Sequence, residues 1–108
     1  MAKLRRHQEF EAVFASPTPA LVRPLFIVRV LAKPAGPARL GIIASKKALR
    51  RAVDRNCAKR LVRETFRAMQ FELSGVDLVV QVRGALKRVG RAPARRQLAG
   101  IFRQIAQA

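Results

Sequence analysis

Apolar positions recur along this chain with two different periods, and the switches between them mark its elements. In residues 7–15, Phe10, Val13 and Phe14 fall at i, i+3 and i+4, on one face of a short helix. Residues 16–24 contain three prolines, which break any helix, so they read as a loop with room for a short strand over 20–22. Residues 25–32 (Leu-Phe-Ile-Val-Arg-Val-Leu-Ala) form a β-branched and aromatic run that predicts a strand. Pro34, Gly36 and Pro37 turn the chain, and residues 39–45 return as a second strand, expected antiparallel to the first. A third strand is expected over 77–83.

Between the second and third strands the period lengthens to that of a helix, from Leu49 or Arg51 to Leu73, stopped by Ser74-Gly75. A last helix begins near Pro93, a favourable first-turn residue, and carries Leu98, Ile101, Phe102 and Ile105 on one face. The order is helix, two or three strands, helix, strand, helix: an α+β fold with helices against a small sheet. At 108 residues this is one domain, 1–108, with no internal repeat and no low-complexity stretch.

Charge changes the picture from fold to partner. Twenty-three Lys and Arg stand against six Asp and Glu, a net charge of +17, which favours a polyanion and disfavours an independent small-molecule enzyme. No apolar run is long enough for a transmembrane helix, and the basic start Met1-Ala2-Lys3-Leu4-Arg5-Arg6-His7 leads into Gln8-Glu9 and not into a signal segment. A single cysteine, Cys57, suits a reducing cytoplasm, and one His with one Cys gives no zinc-ligand cluster.

The charge concentrates on the long helix. Residues 46–67 hold nine Lys and Arg against Asp54 and Glu64, a local charge of +7. On a helical wheel Arg55, Asn56, Lys59, Arg60, Arg63 and Arg67 share one arc, with Cys57, Ala58, Leu61, Thr65, Ala68 and Met69 across from it. Lys46, Lys47, Arg50 and Arg51 extend the charge toward the preceding strand. A merely solvated face would interleave acids, whereas Arg55/Lys59, Lys59/Arg63 and Arg63/Arg67 are like-charge i,i+4 pairs. A phosphate backbone relieves that repulsion, and arginine's planar fork suits bidentate phosphate contact. The face is read as a nucleic-acid surface.

Residue order adds a family. Gly41-Ile42-Ile43-Ala44-Ser45-Lys46-Lys47, followed by Arg51 and then Arg55-Asn56-Cys57-Ala58-Lys59-Arg60-Leu61-Val62-Arg63-Glu64-Thr65-Phe66-Arg67, resembles the signature of the bacterial ribonuclease P protein subunit. Leu4-Arg5-Arg6, Phe10 with Val13-Phe14, and the strand at 77–83 extend the likeness over nearly the whole chain. The resemblance implies a helix–three strands–helix–strand–helix domain with a mixed four-stranded sheet and a left-handed βαβ crossover. It implies partners, the catalytic RNA and precursor tRNA, with no membrane and no obligatory protein partner, and hydrolysis by Mg2+ bound mainly to the RNA. As site residues it implies Lys46, Lys47, Arg51, Arg55, Asn56, Lys59, Arg60, Arg63 and Arg67 for RNA, and Phe10, Phe14 and Phe26 for the 5′ leader. Two positions depart from the pattern. Cys57 replaces an Arg, and the chain has no Tyr on the strand at 26–31, where Arg29 is the candidate for its place.

Other residues carry less. By residue type Phe10 and Phe14 suit core packing about twice as well as base stacking, and the resemblance brings the two readings near even. His7 reads as solvated, Cys57 as a small hydrophobe at the apolar border of its helix, and Glu64 as an ion-pair partner for Arg60, Arg63 or Arg67. Arg83, Lys87, Arg88 and Arg91 either extend the RNA surface or solubilise the chain. No polypeptide catalytic constellation and no metal site is expected. The rival readings are a small ribosomal-type structural RNA binder and a basic membrane-active protein, the latter disfavoured by the strands and the lack of Trp.

Overall fold

Side-chain alternation decides what the strands do. A computed structural model describes residues 2–107. Its elements are β1 (Ala2–Lys3), α1 (His7–Phe14), β2 (Leu21–Val22), β3 (Phe26–Ala32), β4 (Arg39–Ile43), α2 (Ala52–Met69), β5 (Val76–Val82), a 3-10 turn (Gly84–Arg88) and α3 (Arg91–Ala106). Along β3, Phe26, Val28 and Val30 are buried while Ile27, Arg29 and Leu31 are partly open, so the strand splits its residues between two faces. The first set meets α2 and α3 in the main core, with Leu61, Val62, Phe66, Leu98 and Phe102. There the Phe66 and Phe102 rings pack edge to face, 6.2 Å apart. On the opposite sheet face α1 builds a smaller cluster from Leu4, Phe10, Val13, Leu31, Ile43 and Val79.

The sheet has five strands in the order β1-β4-β5-β3-β2, one more than expected, because Ala2–Lys3 adds a short parallel edge to β4. The expected β3–β4 hairpin does not form. β5 lies between the two, antiparallel to β3 and parallel to β4. Its Leu78-Val79-Val80 run is buried on both faces, and such a run belongs in the middle of a sheet. The 33–38 turn therefore bridges the width of β5 and is tied to its entrance. Lys33 N–H donates to the Gly75 carbonyl (2.8 Å) and Gly75 N–H to that of Gly36 (3.0 Å), both glycines having positive φ.

Helix ends also differ from the periodicity. α2 stops at Met69, and Leu73 reaches the core from the turns that follow, so its helical spacing came without a helix. Those turns leave Phe71 87% exposed. The crossover β4–α2–β5 sets α2 on the core face and leaves its outer side to solvent, where the cations lie.

Candidate nucleic-acid interface

α2 buries Ala58, Leu61, Val62, Thr65 and Phe66, and that choice sets where every other side chain of the helix points. Asn56, Arg60 and Arg67 are exposed, as are Lys46, Lys47 and Arg51 in the approach to the helix. Lys59 and Arg63 are half-buried and turn toward the β4 edge, where they line one pocket with Lys3, Leu4, Phe10, Leu40 and Gly41. The basic helix and the aromatic side of α1 thus meet at a common surface. Among the described residues Lys46, Lys47, Lys59, Arg60, Arg63 and Arg67 have no carboxylate within 4.0 Å, and Arg51 has only Asp54 at 3.9 Å.

Two residues of α2 sit differently from expectation. Arg55 is half-buried, and its Nη1 donates to the carbonyls of Leu49 (3.0 Å) and Arg50 (2.8 Å). It fastens the 46–51 loop to the helix, which sets the direction of Lys46 and Lys47. Glu64 turns away from its own helix and accepts from Arg95 (3.0 Å) and Arg91 (3.5 Å) of α3. Its expected partners Arg60, Arg63 and Arg67 therefore keep their full charge for an anion.

The leader set also changes. Phe26 is fully buried in the main core, on the face opposite α1, and is no part of any cleft. It shares its face with Val28 and Val30, so strand alternation turns it inward. Phe10 is half-buried over Gly41, where a β-carbon would lie 2.5 Å from its Cε1; glycine is what allows α1 to approach the sheet. Phe14 is 46% exposed, at the boundary of the sheet surface that α1 leaves open. Arg29 lies beside it, its Cζ 4.7 Å from the ring centroid, and Nη1 donates to Gln81 Oε1 at 3.1 Å.

α1 is held to the sheet by ions that residue order did not announce. Glu9 caps the helix, accepting from Arg5 and Arg6 N–H (2.9 Å each), and also pairs with Arg39. Arg39 grips Asp77 in two-pronged fashion (3.0 and 2.7 Å), and Lys33 Nζ stands 2.9 Å from the same carboxylate. Backbone hydrogen bonds from Arg6 and Arg5 draw the Glu9 carboxyl below its usual range. Burial pushes Asp77 up, but the hydrogen bonds and charges of Arg39 and Lys33 together outweigh it and hold this carboxyl low. A buried Asp in an apolar strand demands such cations, and that was the available signal.

Cys57, expected as a small hydrophobe at the apolar border of α2, is exposed there and borders a pocket with Asp54, Lys87 and Arg91 between α2 and α3. Cys57→Arg is therefore expected to leave the melting temperature within a degree or two and to tighten RNA binding by about 1 kcal/mol, one added charge-assisted contact. Thermal melting and RNA affinity of that variant check it, and a large stability loss would contradict the surface placement.

The described residues contain no group of three or more His, Cys, Asp or Glu that could hold a metal ion. No described helix is long and apolar enough to cross a membrane.

Comparison with known proteins agrees over almost the full length. The family model for Ribonuclease P matches residues 1–106. The Ribonuclease P protein component of Chromohalobacter salexigens is 46% identical over 78 residues, covering 70% of this chain and 61% of that relative's length. That of Chromobacterium violaceum is 39% identical over 107 residues, covering 97% of this chain and 86% of the relative. The solved RNase P protein from Thermotoga maritima superposes with a TM-score of 0.81 at 29% identity, covering 97% of this chain and 98% of that one.

Proposed function

This chain belongs to the ribonuclease P protein family, and we propose that it is the protein subunit of the ribonucleoprotein that matures the 5′ end of tRNA. The observation that carries this reading is the unneutralised basic face of α2. Lys59, Arg60, Arg63 and Arg67 stand at i,i+4 and i,i+3 spacings with no acid among them, since Glu64 is committed to α3. Such a face repels itself in the free protein and is relieved by phosphates. In this reading the face docks on the catalytic RNA and screens its repulsion from precursor tRNA, while Phe14 and the open sheet surface beside α1 receive the 5′ leader. Arg39 and Lys33 engage Asp77, Arg39 also engages Glu9, and Arg91 and Arg95 engage Glu64, so these carboxylates serve structure and not acid–base chemistry. Mg2+ carried by the RNA supplies the hydrolytic chemistry. The polypeptide works in the cytoplasm by positioning and charge, and needs no second protein.

The test is cleavage of precursor tRNA by a bacterial ribonuclease P RNA at low magnesium, with and without this protein. Stimulation of at least tenfold is expected, the scale of one modest electrostatic contribution to a barrier. Absence of stimulation overturns the reading and favours a structural RNA binder of ribosomal type.

A further inference from the structure

The sheet face that α1 leaves open is mostly apolar, with one polar device on it. Val22 (56% exposed) and Ile27 are register partners and share that face with Arg29 and Gln81. The strands turn two arginines this way. Arg39 is consumed by Glu9 and Asp77, which among the described residues leaves Arg29 as the arginine of this face available to a ligand. Its guanidinium is fixed twice, by the Phe14 ring against its face and by the hydrogen bond to Gln81. A side chain of this length normally loses much rotamer freedom on binding, and here that cost has already been met within the protein.

The hydrogen bond also decides what the pair can recognise. Arginine has donors only, so the Gln81 atom facing it is the carbonyl oxygen, which turns that acceptor toward Arg29. What remains toward solvent is a set of N–H donors, from the guanidinium plane and from the Gln81 amide nitrogen. A free glutamine reads adenine by pairing one donor and one acceptor with N7 and N6, and in this glutamine the acceptor is turned toward Arg29. Guanine offers two adjacent acceptors, O6 and N7, the known match for an arginine fork. An unstacked base also finds an aromatic edge in Phe14 and an apolar floor in Val22 and Ile27, which a phosphate would not use.

We infer that Phe14, Arg29 and Gln81 form a base-reading subsite that accepts a guanine of the single-stranded 5′ leader by its O6/N7 edge, with Arg29 the specificity-determining residue. This rests on the leader path proposed above.

The experiment uses the complete ribonucleoprotein and precursor tRNAs whose leader is all adenine except for one guanine walked through successive positions. Dissociation constants are measured at fixed salt. At one leader position guanine is expected to bind about 5- to 100-fold tighter than adenine, the range of one bidentate base contact. Arg29→Lys keeps the charge and loses the fork, so the guanine preference should collapse toward one. If Arg29 instead meets a phosphate, Arg29→Ala weakens all leaders equally and Arg29→Lys restores them; that result overturns the inference. So does a wild-type protein indifferent to leader sequence yet able to distinguish precursor from leaderless tRNA, and the leader path then survives. Failure to distinguish those two overturns the path and the subsite together. Melting curves of both variants show that the fold is retained.

Discussion

Asp77→Ala is expected to cost about 3 kcal/mol of stability, at the lower end of what breaking a buried charge pair costs. That corresponds to a fall of roughly 12–20 °C in melting temperature for a domain of this size. The Asp77 side chain is 4% exposed, and two cations converge on it, from the turn after β3 and from the start of β4. Removing the carboxylate leaves Lys33 with the Pro37 carbonyl and Arg39 with Glu9, so neither cation is wholly stranded, which keeps the cost near the lower bound. The loss should also loosen α1, because Arg39 links Asp77 to the carboxylate that caps that helix. Thermal melting at pH 7 checks the magnitude. A loss below about 1 kcal/mol would show that the network is ornamental.

The same carboxylate gives the stability an acid limb. A carboxyl that titrates lower in the folded chain than in the unfolded one stabilises the fold above the unfolded pKa, about 3.9 for Asp. That contribution fades as pH falls from there through the lower folded value. Both Glu9 and Asp77 are shifted in this direction. Wild-type melting temperature should therefore drop steeply below about pH 4, and Asp77→Asn should flatten that limb while lowering the plateau above it.

Much of the fold was legible because it is local. α1 and α3 were readable from apolar residues three and four apart, and β3 from its β-branched run. What sequence spacing could not supply was long-range choice. β5 separates β3 from β4 because Leu78-Val79-Val80 is apolar on both faces, a property that marks a central strand but does not name its neighbours. Glu64 found its cations 27 and 31 residues away, on α3, where an i,i+4 argument never looks. The resemblance implies a leader contact for Phe26, whereas the strand's period of two places it with Val28 and Val30 on a buried face. Arg55 belongs to the basic arc by angle, yet nearby unpaired carbonyls claimed it. The basic face itself was legible because repulsion among like charges is a property of spacing alone.

That face predicts the steepest response of all. Among the described residues, seven of the eight cations expected to bind RNA project with no carboxylate nearer than 3.9 Å, namely Lys46, Lys47, Arg51, Lys59, Arg60, Arg63 and Arg67, while Arg55 is tied to backbone; with Arg50, also exposed, the count is about eight. If each neutralises one phosphate, log affinity should fall against log salt with a slope of roughly −5 to −7. A fivefold rise in monovalent salt then weakens binding to the catalytic RNA by about 10³- to 10⁵-fold. The single variants Lys59→Ala and Arg63→Ala should each reduce the slope by about one, since a phosphate contact contributes one released counterion and little sequence preference. Neither side chain belongs to the core, so circular dichroism should stay that of the wild type. Titration of the RNA across a salt series measures both quantities together. A slope shallower than about −2, or one unmoved by either substitution, would place the RNA on another surface, and the arginines of the 3-10 turn and α3 would be the next to test.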